Sequence, residues 1–165
     1  HMRDVCAEST GAARSQGLTL RFRNSASTVT AMVDPDMISR IVQNLLSNAF
    51  RYTPPGGNVR VEVNPLSRRR AQIIVEDDGP GVAPEIAGHI FERFVKATGD
   101  ASAGNGLGLN NVRTMAALHN GNVFCKSTPG HGTRFEVVLP IEPFSGNRRR
   151  RKGDALPGQL EFPLV

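Results

Sequence analysis

Two asparagines and an arginine occupy one face of a predicted helix. Asn44 and Asn48 are four residues apart and Arg51 follows three residues later, so on a helix the three side chains lie one above another. Amide oxygens can ligate a hard cation such as Mg²⁺, and a guanidinium group suits phosphate oxygens. The spacing therefore indicates a site for a magnesium–phosphate group. The alternative is a polar helix face that contacts only solvent.

The helix itself is predicted from its cap and its apolar periodicity. Asp34 is suited to accept hydrogen bonds from the free N–H groups of a helix start, and Pro35 suits the first turn. Pro54 ends the helix because proline cannot continue it. The apolar residues in between recur with the spacing of one buried face, at Ile38, Ile41, Val42, Leu45, Leu46 and Ala49.

A second polar position follows a predicted strand. Residues 71–76 lead directly into Asp77, Asp78 and a turn that contains Gly79 and Gly81. A carboxylate at the end of a buried strand needs a hydrogen-bond donor, and the amino group of a ligand can supply one. The glycines let the backbone come close to such a ligand. The alternative is a turn aspartate that accepts hydrogen bonds from its own backbone.

A glycine-rich stretch opens another predicted helix. The sequence Gly104-Asn-Gly106-Leu-Gly108-Leu109 precedes a helix that runs to about His119. Free N–H groups at a helix start, with no side chains in the way, form a place for phosphate. The preceding residues 95–103 are rich in small side chains and are predicted to be a mobile connection.

The remaining segments predict a mixture of strands and helices. Alternation of apolar and polar residues, with turn residues between the runs, predicts strands at 18–23, 28–33, 58–63, 71–76, 122–127 and 133–139. Two further helices are predicted, at 3–16, ending at Gly17, and at 84–89. Residues 68–70 are predicted to be an exposed hairpin tip, and His119 and His131 are predicted to have structural roles.

Length and composition are typical of one globular domain. The chain has 165 residues, 39% hydrophobic and 21% charged, which is enough to bury a core. No apolar run approaches the roughly 20 residues that span a bilayer, and the polar start is unlike a secretory signal. Cys6 and Cys125 are therefore predicted to be reduced thiols in a cytoplasmic setting. The first two residues are typical of a cleaved expression tag, so the chain is expected to be a fragment.

The net charge of +5 is concentrated at the C-terminus. Residues 146–165 contain five basic and two acidic side chains, a net charge of +3, which leaves +2 for the remainder. A basic surface of the kind that binds nucleic acid is therefore not expected on the folded domain. Periodicity ends after Pro140, and residues 142–165 are predicted to be a basic, disordered tail.

Taken in order, these stretches resemble the ATP-binding catalytic domain of two-component sensor histidine kinases, within the GHKL or Bergerat-fold ATPase superfamily. The resemblance covers residues 3–141. Five of the family's conserved stretches have counterparts here, in the same order. The asparagine box corresponds to residues 44–53 and the first glycine box to residues 77–81. The phenylalanine box corresponds to residues 91–94, the second glycine box to residues 104–109 and the closing strand to residues 132–140. Arg93 stands where the family often has proline.

The resemblance implies a fold and a set of ligands. The fold is a two-layer α/β sandwich, in which a mixed, mostly antiparallel sheet packs on three helices, and a mobile ATP lid spans residues 95–103. The cofactors are ATP and Mg²⁺. Asn48 and Asn44 would hold Mg²⁺, Arg51 a phosphate, and Asp77 the adenine amino group. The other residues that the resemblance assigns to the nucleotide are Tyr52, Gly79, Gly81, Val82, Lys96, Gly104, Gly106, Leu107, Gly108, Leu109 and Thr133.

The resemblance also implies an activity and partners. The domain would transfer the γ-phosphate of ATP to a histidine on a separate dimerisation domain, for relay to a response regulator. No histidine of this chain is followed by Glu or Asp, as the family's phosphoacceptor is. The full-length protein would be a homodimer and the fragment a monomer, and the resemblance is compatible with a membrane anchor in the full-length protein.

Asn44 separates this hypothesis from its alternatives. Related ATPases of the gyrase, mismatch-repair and chaperone types have Glu at this position, and anti-sigma-factor serine kinases usually do. An amide is not a general base, so direct hydrolysis is disfavoured. Three alternatives remain: an ATP-binding scaffold that has lost phosphoryl transfer, an anti-sigma-type serine kinase, and a nucleotide-driven clamp ATPase.

Overall fold

Three longer helices, one short helix and seven strands make up the described part of the chain. The computed structural model describes residues 1–24, 30–96, 105–141 and 159–161. The elements in order are α1 (Met2–Ser15), β1 (Thr19–Asn24), β2 (Thr30–Met32), α2 (Pro35–Tyr52), β3 (Asn58–Ser67), β4 (Arg70–Asp77), α3 (Pro84–Ala87), α4 (Gly108–Leu118), β5 (Asn122–Ser127), β6 (Thr133–Pro140) and β7 (Gln159–Glu161). Each predicted helix and strand is present with ends displaced by a few residues, and β3 continues past its predicted end.

Five of the strands form one mixed sheet in the order β1-β3-β4-β6-β5. The pairing of β1 with β3 is parallel, and the other three pairings are antiparallel. The predicted mixed, mostly antiparallel sheet is therefore confirmed. Its position next to the helices also confirms the predicted α/β sandwich, because α1, α2 and α4 contribute to one hydrophobic core with the inward side chains of the sheet.

Helix α2 forms as its sequence predicts. The side chain of Asp34 accepts hydrogen bonds from the N–H groups of Asp36 and Met37 at 2.9 and 3.1 Å, and Pro35 is the first helical residue. The predicted apolar face is buried, together with Phe50. This face packs towards β3 and β4, and Asn44, Asn48 and Arg51 lie outside it.

The outer face of the sheet carries charged side chains in a ladder across the four strands β3, β4, β6 and β5. Glu76 accepts hydrogen bonds from Arg60 and Arg134, each at 2.8 Å. Arg134 also donates to Glu136 at 2.8 Å, and Lys126 donates to Glu136 at 3.1 Å. These cross-strand pairs stabilise the face of the sheet that the helices leave uncovered.

The C-terminal segment contributes one short strand. β7 pairs antiparallel with β2, with Ala31 opposite Leu160. Three residues of the predicted disordered tail are therefore in a strand. The rest of that prediction, which concerns residues 142–158 and 162–165, lies outside the described residues, as does most of the predicted ATP lid.

The start of the chain and the two cysteines pack against the rest of the domain. Met2 is buried, and His1 Nε2 lies 3.0 Å from the carbonyl oxygen of Pro35. Cys6 is buried and Cys125 is half-buried, and both are free thiols. Within the described ranges, none of the helices has the length and apolar character needed to cross a membrane.

Candidate functional site

A cavity of about 400 Å³ lies between α2, the N-terminal end of α4 and the sheet. Its volume is in the range of small-molecule sites, roughly 300–1,000 Å³. The predicted site residues that line it are Asn44, Asn48, Arg51, Tyr52, Asp77, Gly81, Val82, Lys96, Gly106, Gly108, Leu109 and Thr133. The fold thus brings together, in one cavity, residues that are far apart in the sequence.

Three predicted site residues are not in this lining. Gly104 lies outside the described residues, and Leu107 is the N-cap residue of α4. Gly79 lies behind Asp77 and donates its N–H to Asp77 Oδ1 at 3.0 Å. A Cβ on Gly79 would stand 3.1 Å from the carbonyl oxygen of Tyr52. The absence of a side chain here lets the turn after β4 pack against the end of α2, and the residue forms no wall of the cavity.

The amide of Asn44 is held in one orientation. Its Nδ2 donates to the carbonyl oxygen of Arg40, one turn earlier in α2, at 2.8 Å. The amide oxygen is directed the other way and lies 3.4 Å from the place of a Cβ on Gly108. The oxygen, which is the atom that ligates hard cations, is therefore presented to the space between α2 and the start of α4.

Asp77 is a buried carboxylate at the wall of the cavity. Its side chain is 8% exposed. Burial raises the pKa of Asp77, while backbone hydrogen bonds from Gly79 and Thr133 act in the opposite direction. A buried carboxylate with a perturbed pKa in a cavity is typical of a functional site. The predicted turn hydrogen bond and the predicted ligand contact are compatible, because the turn uses one oxygen, Oδ1.

Ser127 joins the turn after β4 to the hairpin between β5 and β6. Its Oγ accepts from the N–H of Val82 at 2.8 Å and donates to the carbonyl oxygen of Gly132 at 2.8 Å. A Cβ on Gly132 would collide with the carbonyl oxygen of Asp77. The hydroxyl of Ser127 and the bare backbone of Gly132 thus hold this wall in place. The sequence contains no signal for this role of Ser127 beyond its position at the end of a strand.

The other wall is the uncapped start of α4. The N-cap residue Leu107 makes no side-chain hydrogen bond to the helix start, so the first N–H groups of α4 are not used by a capping side chain. Gly106 has φ +64, and its carbonyl oxygen accepts from the N–H of Phe94 at 2.9 Å. Asn110 is buried and donates to the carbonyl oxygen of Phe91 at 3.0 Å. The phenylalanine-containing segment is thereby fixed to α4.

His119 connects the far ends of the two helices that border the cavity. Its Nε2 accepts the N–H of Asp34 at 3.0 Å, and its Nδ1 lies 2.8 Å from the carbonyl oxygen of Met115. Nδ1 must carry the proton, because a carbonyl oxygen only accepts. This geometry agrees with the predicted structural role of His119.

Several cavity residues were not predicted from the sequence. They are Ser47, Pro80, Ala83, Ile86, Ile90, Val95, Asn105 and Phe135. The apolar members form a hydrophobic part of the lining, and Phe135 packs edge-on against Phe91 with ring centroids 6.2 Å apart. Their apolar character alone was indistinguishable from that of core residues. Over the described part of the chain, no group of three or more His, Cys, Asp or Glu side chains is placed to hold a metal ion.

The sequence profile of the family described as "Histidine kinase-, DNA gyrase B-, and HSP90-like ATPase" matches residues 33–143. The chain belongs to this family. Sensor histidine kinase TmoS of Ectopseudomonas mendocina is 40% identical over 119 residues, which are 70% of this chain and 12% of that protein. Sensor protein QseC of Salmonella typhi is 41% identical over 127 residues, which are 77% of this chain and 27% of that protein. The chain thus spans a minor part of these relatives.

Solved structures of the family have the same fold. The mycobacterial sensor histidine kinase MprB superposes with a TM-score of 0.73 at 28% identity, covering 87% of this chain and 97% of that one. Full-length ShkA in complex with AMPPNP gives 0.71 at 27% identity, covering 85% of this chain and 29% of that one. The catalytic domain of histidine kinase ThkA gives 0.72 at 21% identity, covering 86% and 92%. The predicted family and fold are confirmed.

Proposed function

We propose that this chain is the ATP-binding catalytic domain of a sensor histidine kinase. It binds Mg-ATP and transfers the γ-phosphate to a histidine of a separate dimerisation domain, from which a response regulator receives it. The observation that carries the proposal is the single cavity that holds Asn44 and Asn48, Asp77, and the glycines at the start of α4. An ATP analogue bound to the similar kinase ShkA supports the choice of nucleotide.

The adenine end of the site is at Asp77. A buried carboxylate oxygen accepts the exocyclic amino group of the base, and this contact selects adenine because it needs a donor at that position. Thr133 lies beside Asp77 in the lining, and Tyr52 offers an aromatic side chain at the end of α2. Gly81 has φ +77 and faces the carbonyl oxygen of Thr128 so closely that a Cβ has no room.

The phosphate end of the site is between α2 and the start of α4. The oriented amide oxygen of Asn44, with the amide of Asn48 one turn further, would hold Mg²⁺, a hard cation that takes oxygen ligands. The ion, when bound, neutralises charge on the phosphates. Arg51 and Lys96, both exposed at the cavity, bind phosphate oxygens. The uncapped N–H groups of α4 bind another part of the phosphate chain.

The site favours phosphoryl transfer over hydrolysis. The amide of Asn44 cannot take a proton from water. Among the described residues of the lining no carboxylate replaces it, because Asp77 belongs to the adenine end. Catalysis then depends on positioning and on neutralisation of charge. The phosphoacceptor histidine comes from another domain. His89 is paired with Glu92. His119 is hydrogen-bonded between two helices, and His131 is exposed in a turn.

The remaining parts of the proposal follow from this assignment. Residues 3–141 form the catalytic domain, residues 1–2 are a tag remnant and residues 142–165 a C-terminal extension. The partners are the dimerisation domain and a response regulator. The full-length protein is a homodimer with a cytoplasmic catalytic domain. This chain alone is a monomer.

The experiment is phosphorylation in trans with radiolabelled ATP. The chain is incubated alone and with a separately purified dimerisation domain from a similar sensor kinase, with and without Mg²⁺. Label on the dimerisation domain, only with Mg²⁺ and not on this chain, supports the proposal. Label on this chain alone contradicts the assignment of the acceptor. Binding of ATP without transfer to any dimerisation domain tested would favour the scaffold alternative.

A further inference from the structure

The cavity is lined by α2 from Asn44 to Tyr52, and the other walls can be assigned to positions on that helix. At the C-terminal end, a Cβ on Gly79 would meet the carbonyl oxygen of Tyr52 at 3.1 Å, so the turn that follows Asp77 contacts the last turn of α2. At the other end, Asn44 Oδ1 faces Gly108. Tyr52 and Asn44 are eight residues apart, about 12 Å along the helix axis.

This direction fixes the order of the phosphates, provided that the proposed ATP site is correct. With the base at Asp77, the phosphate chain leaves the Tyr52 end of α2 and runs towards Asn44. The last phosphate is therefore at the Asn44 end. The next residues in that direction belong to the turn of α2 that precedes Asn44.

Arg40 occupies that turn. It is exposed and is not part of the cavity lining, and it precedes Asn44 by one helical turn, about 6 Å. The amide of Asn44 contacts this turn, because its Nδ2 donates to the carbonyl oxygen of Arg40 at 2.8 Å. The amide of Asn44 is therefore hydrogen-bonded to the backbone of the residue from which the Arg40 side chain projects.

The guanidinium group of Arg40 is not engaged elsewhere within the described ranges. Asp36 is one turn earlier on the same helix, but no ion pair joins the two, and Arg40 makes none with any other described carboxylate. Asp34, the nearest other acid on α2, accepts the N–H groups of the helix start. A long, charged and unpaired side chain at this position is free to turn towards an anion in the cavity mouth.

We propose that Arg40 binds the terminal phosphate of the nucleotide. Helix α2 then distinguishes a triphosphate from a diphosphate by binding the triphosphate more tightly. A guanidinium group presents two parallel N–H donors that match two phosphate oxygens. Arg51, at the opposite end of the asparagine pair, contacts the part of the phosphate chain that both nucleotides share. Arg40 is in reach only of the phosphate that ATP has and ADP lacks. The proposal deepens the proposed function and rests on it.

The test is calorimetric titration of the whole chain with Mg-AMPPNP and with Mg-ADP. Arg40→Gln is expected to weaken AMPPNP binding by about five- to tenfold, the usual loss for a charge-assisted hydrogen bond at a partly exposed site, and to leave ADP binding within about twofold. Arg40→Lys is expected to recover part of the loss, because charge is kept but the paired donors are lost. Arg51→Gln is expected to weaken both nucleotides.

The matched control is Arg14→Gln, which removes the same charge from an exposed position in the last turn of α1. It is expected to change neither affinity. If Arg40→Gln weakens the affinities for AMPPNP and ADP equally, or leaves the affinity for AMPPNP unchanged, the assignment of Arg40 is overturned. Neither result contradicts the proposed ATP site. If the unaltered chain binds neither nucleotide, the proposed function fails and the assignment of Arg40 fails with it.

Discussion

The side-chain oxygen of Asn44 and the backbone of Gly108 face each other across the mouth of the cavity, with 3.4 Å between that oxygen and the position of an added Cβ. This approach joins the helix that carries the asparagines to the helix start proposed to bind phosphate. Gly108 does not have a positive φ, so the effect of a side chain at this position depends on its size and not on the backbone conformation.

Graded substitution of Gly108 tests this relationship. Gly108→Ala adds a methyl group at an ordinary contact distance, and we expect a loss of ATP affinity of no more than about threefold. Gly108→Val projects further towards Asn44, and we expect a loss of about tenfold or more, since the phosphate path is filled. Both variants are expected to melt within a few degrees of the unaltered chain. Equal affinity of both variants and the unaltered chain would contradict the placement of the phosphates.

Asp77 is predicted to cost stability while it supports binding. Its pKa is raised in the folded chain, first by burial, so the folded state binds a proton more readily than the unfolded state does. Stability therefore falls as pH rises from the unfolded pKa of about 3.9 through the folded pKa. Asp77→Asn is expected to be as stable as the unaltered chain or more so at pH 7, with an advantage that shrinks towards pH 4. Chemical denaturation at several pH values measures this, and a large loss of stability at pH 7 would contradict it.

The ion-pair ladder on the outer face predicts the opposite dependence on pH. Hydrogen bonds from Arg134, opposed by burial and aided by Lys126, lower the pKa of Glu136. Its contribution to stability is therefore present above the unfolded pKa and is lost as pH falls through the folded pKa. Glu136→Gln is expected to cost about 1 kcal/mol at pH 7, and this cost should shrink below about pH 4.3. Glu85→Gln, at an exposed position in α3, is the control and should change little.

Gly106 and Phe94 are in close backbone contact, joined by the hydrogen bond from the Phe94 N–H to the Gly106 carbonyl oxygen. Both have positive φ, +64 and +65, and a Cβ on Gly106 would stand 2.8 Å from the backbone of Phe94. We expect Gly106→Ala to lower the free energy of unfolding by about 1–2 kcal/mol. Gly88→Ala is the control, because Gly88 has φ −70 and nothing within 4 Å of an added Cβ. Equal effects of the two substitutions would contradict the conformational cost assigned to Gly106.

The features that local sequence determines were predicted correctly. The extent of α2 followed from its Asp34 cap, its apolar spacing and Pro54, each of which acts within a few residues. The asparagine face of α2 and the glycines before α4 were found for the same reason. Their meeting in one cavity was implied only by the family resemblance, because no local pattern states which helix packs on which.

The features that depend on distant packing were missed. The role of Ser127 requires the turn after β4 to lie beside a hairpin that is 45 residues away. The pairing of β7 with β2 joins residues that are far apart in the sequence. The sequence of neither strand indicates which strand it pairs with. The contact of Gly79 with the end of α2 was not predicted either: a Cβ on Gly79 would stand 3.1 Å from the carbonyl oxygen of Tyr52.

The most direct test of the central claim is calorimetric titration with Mg-ATP of the unaltered chain and of Asp77→Asn. We predict saturable, Mg²⁺-dependent binding to the unaltered chain. In Asp77→Asn we predict a loss of about tenfold or more, because a hydrogen bond from the base to a buried charged group is removed. Equal binding by both proteins would contradict the adenine site at Asp77. No binding by the unaltered chain would contradict the assignment of this cavity to ATP.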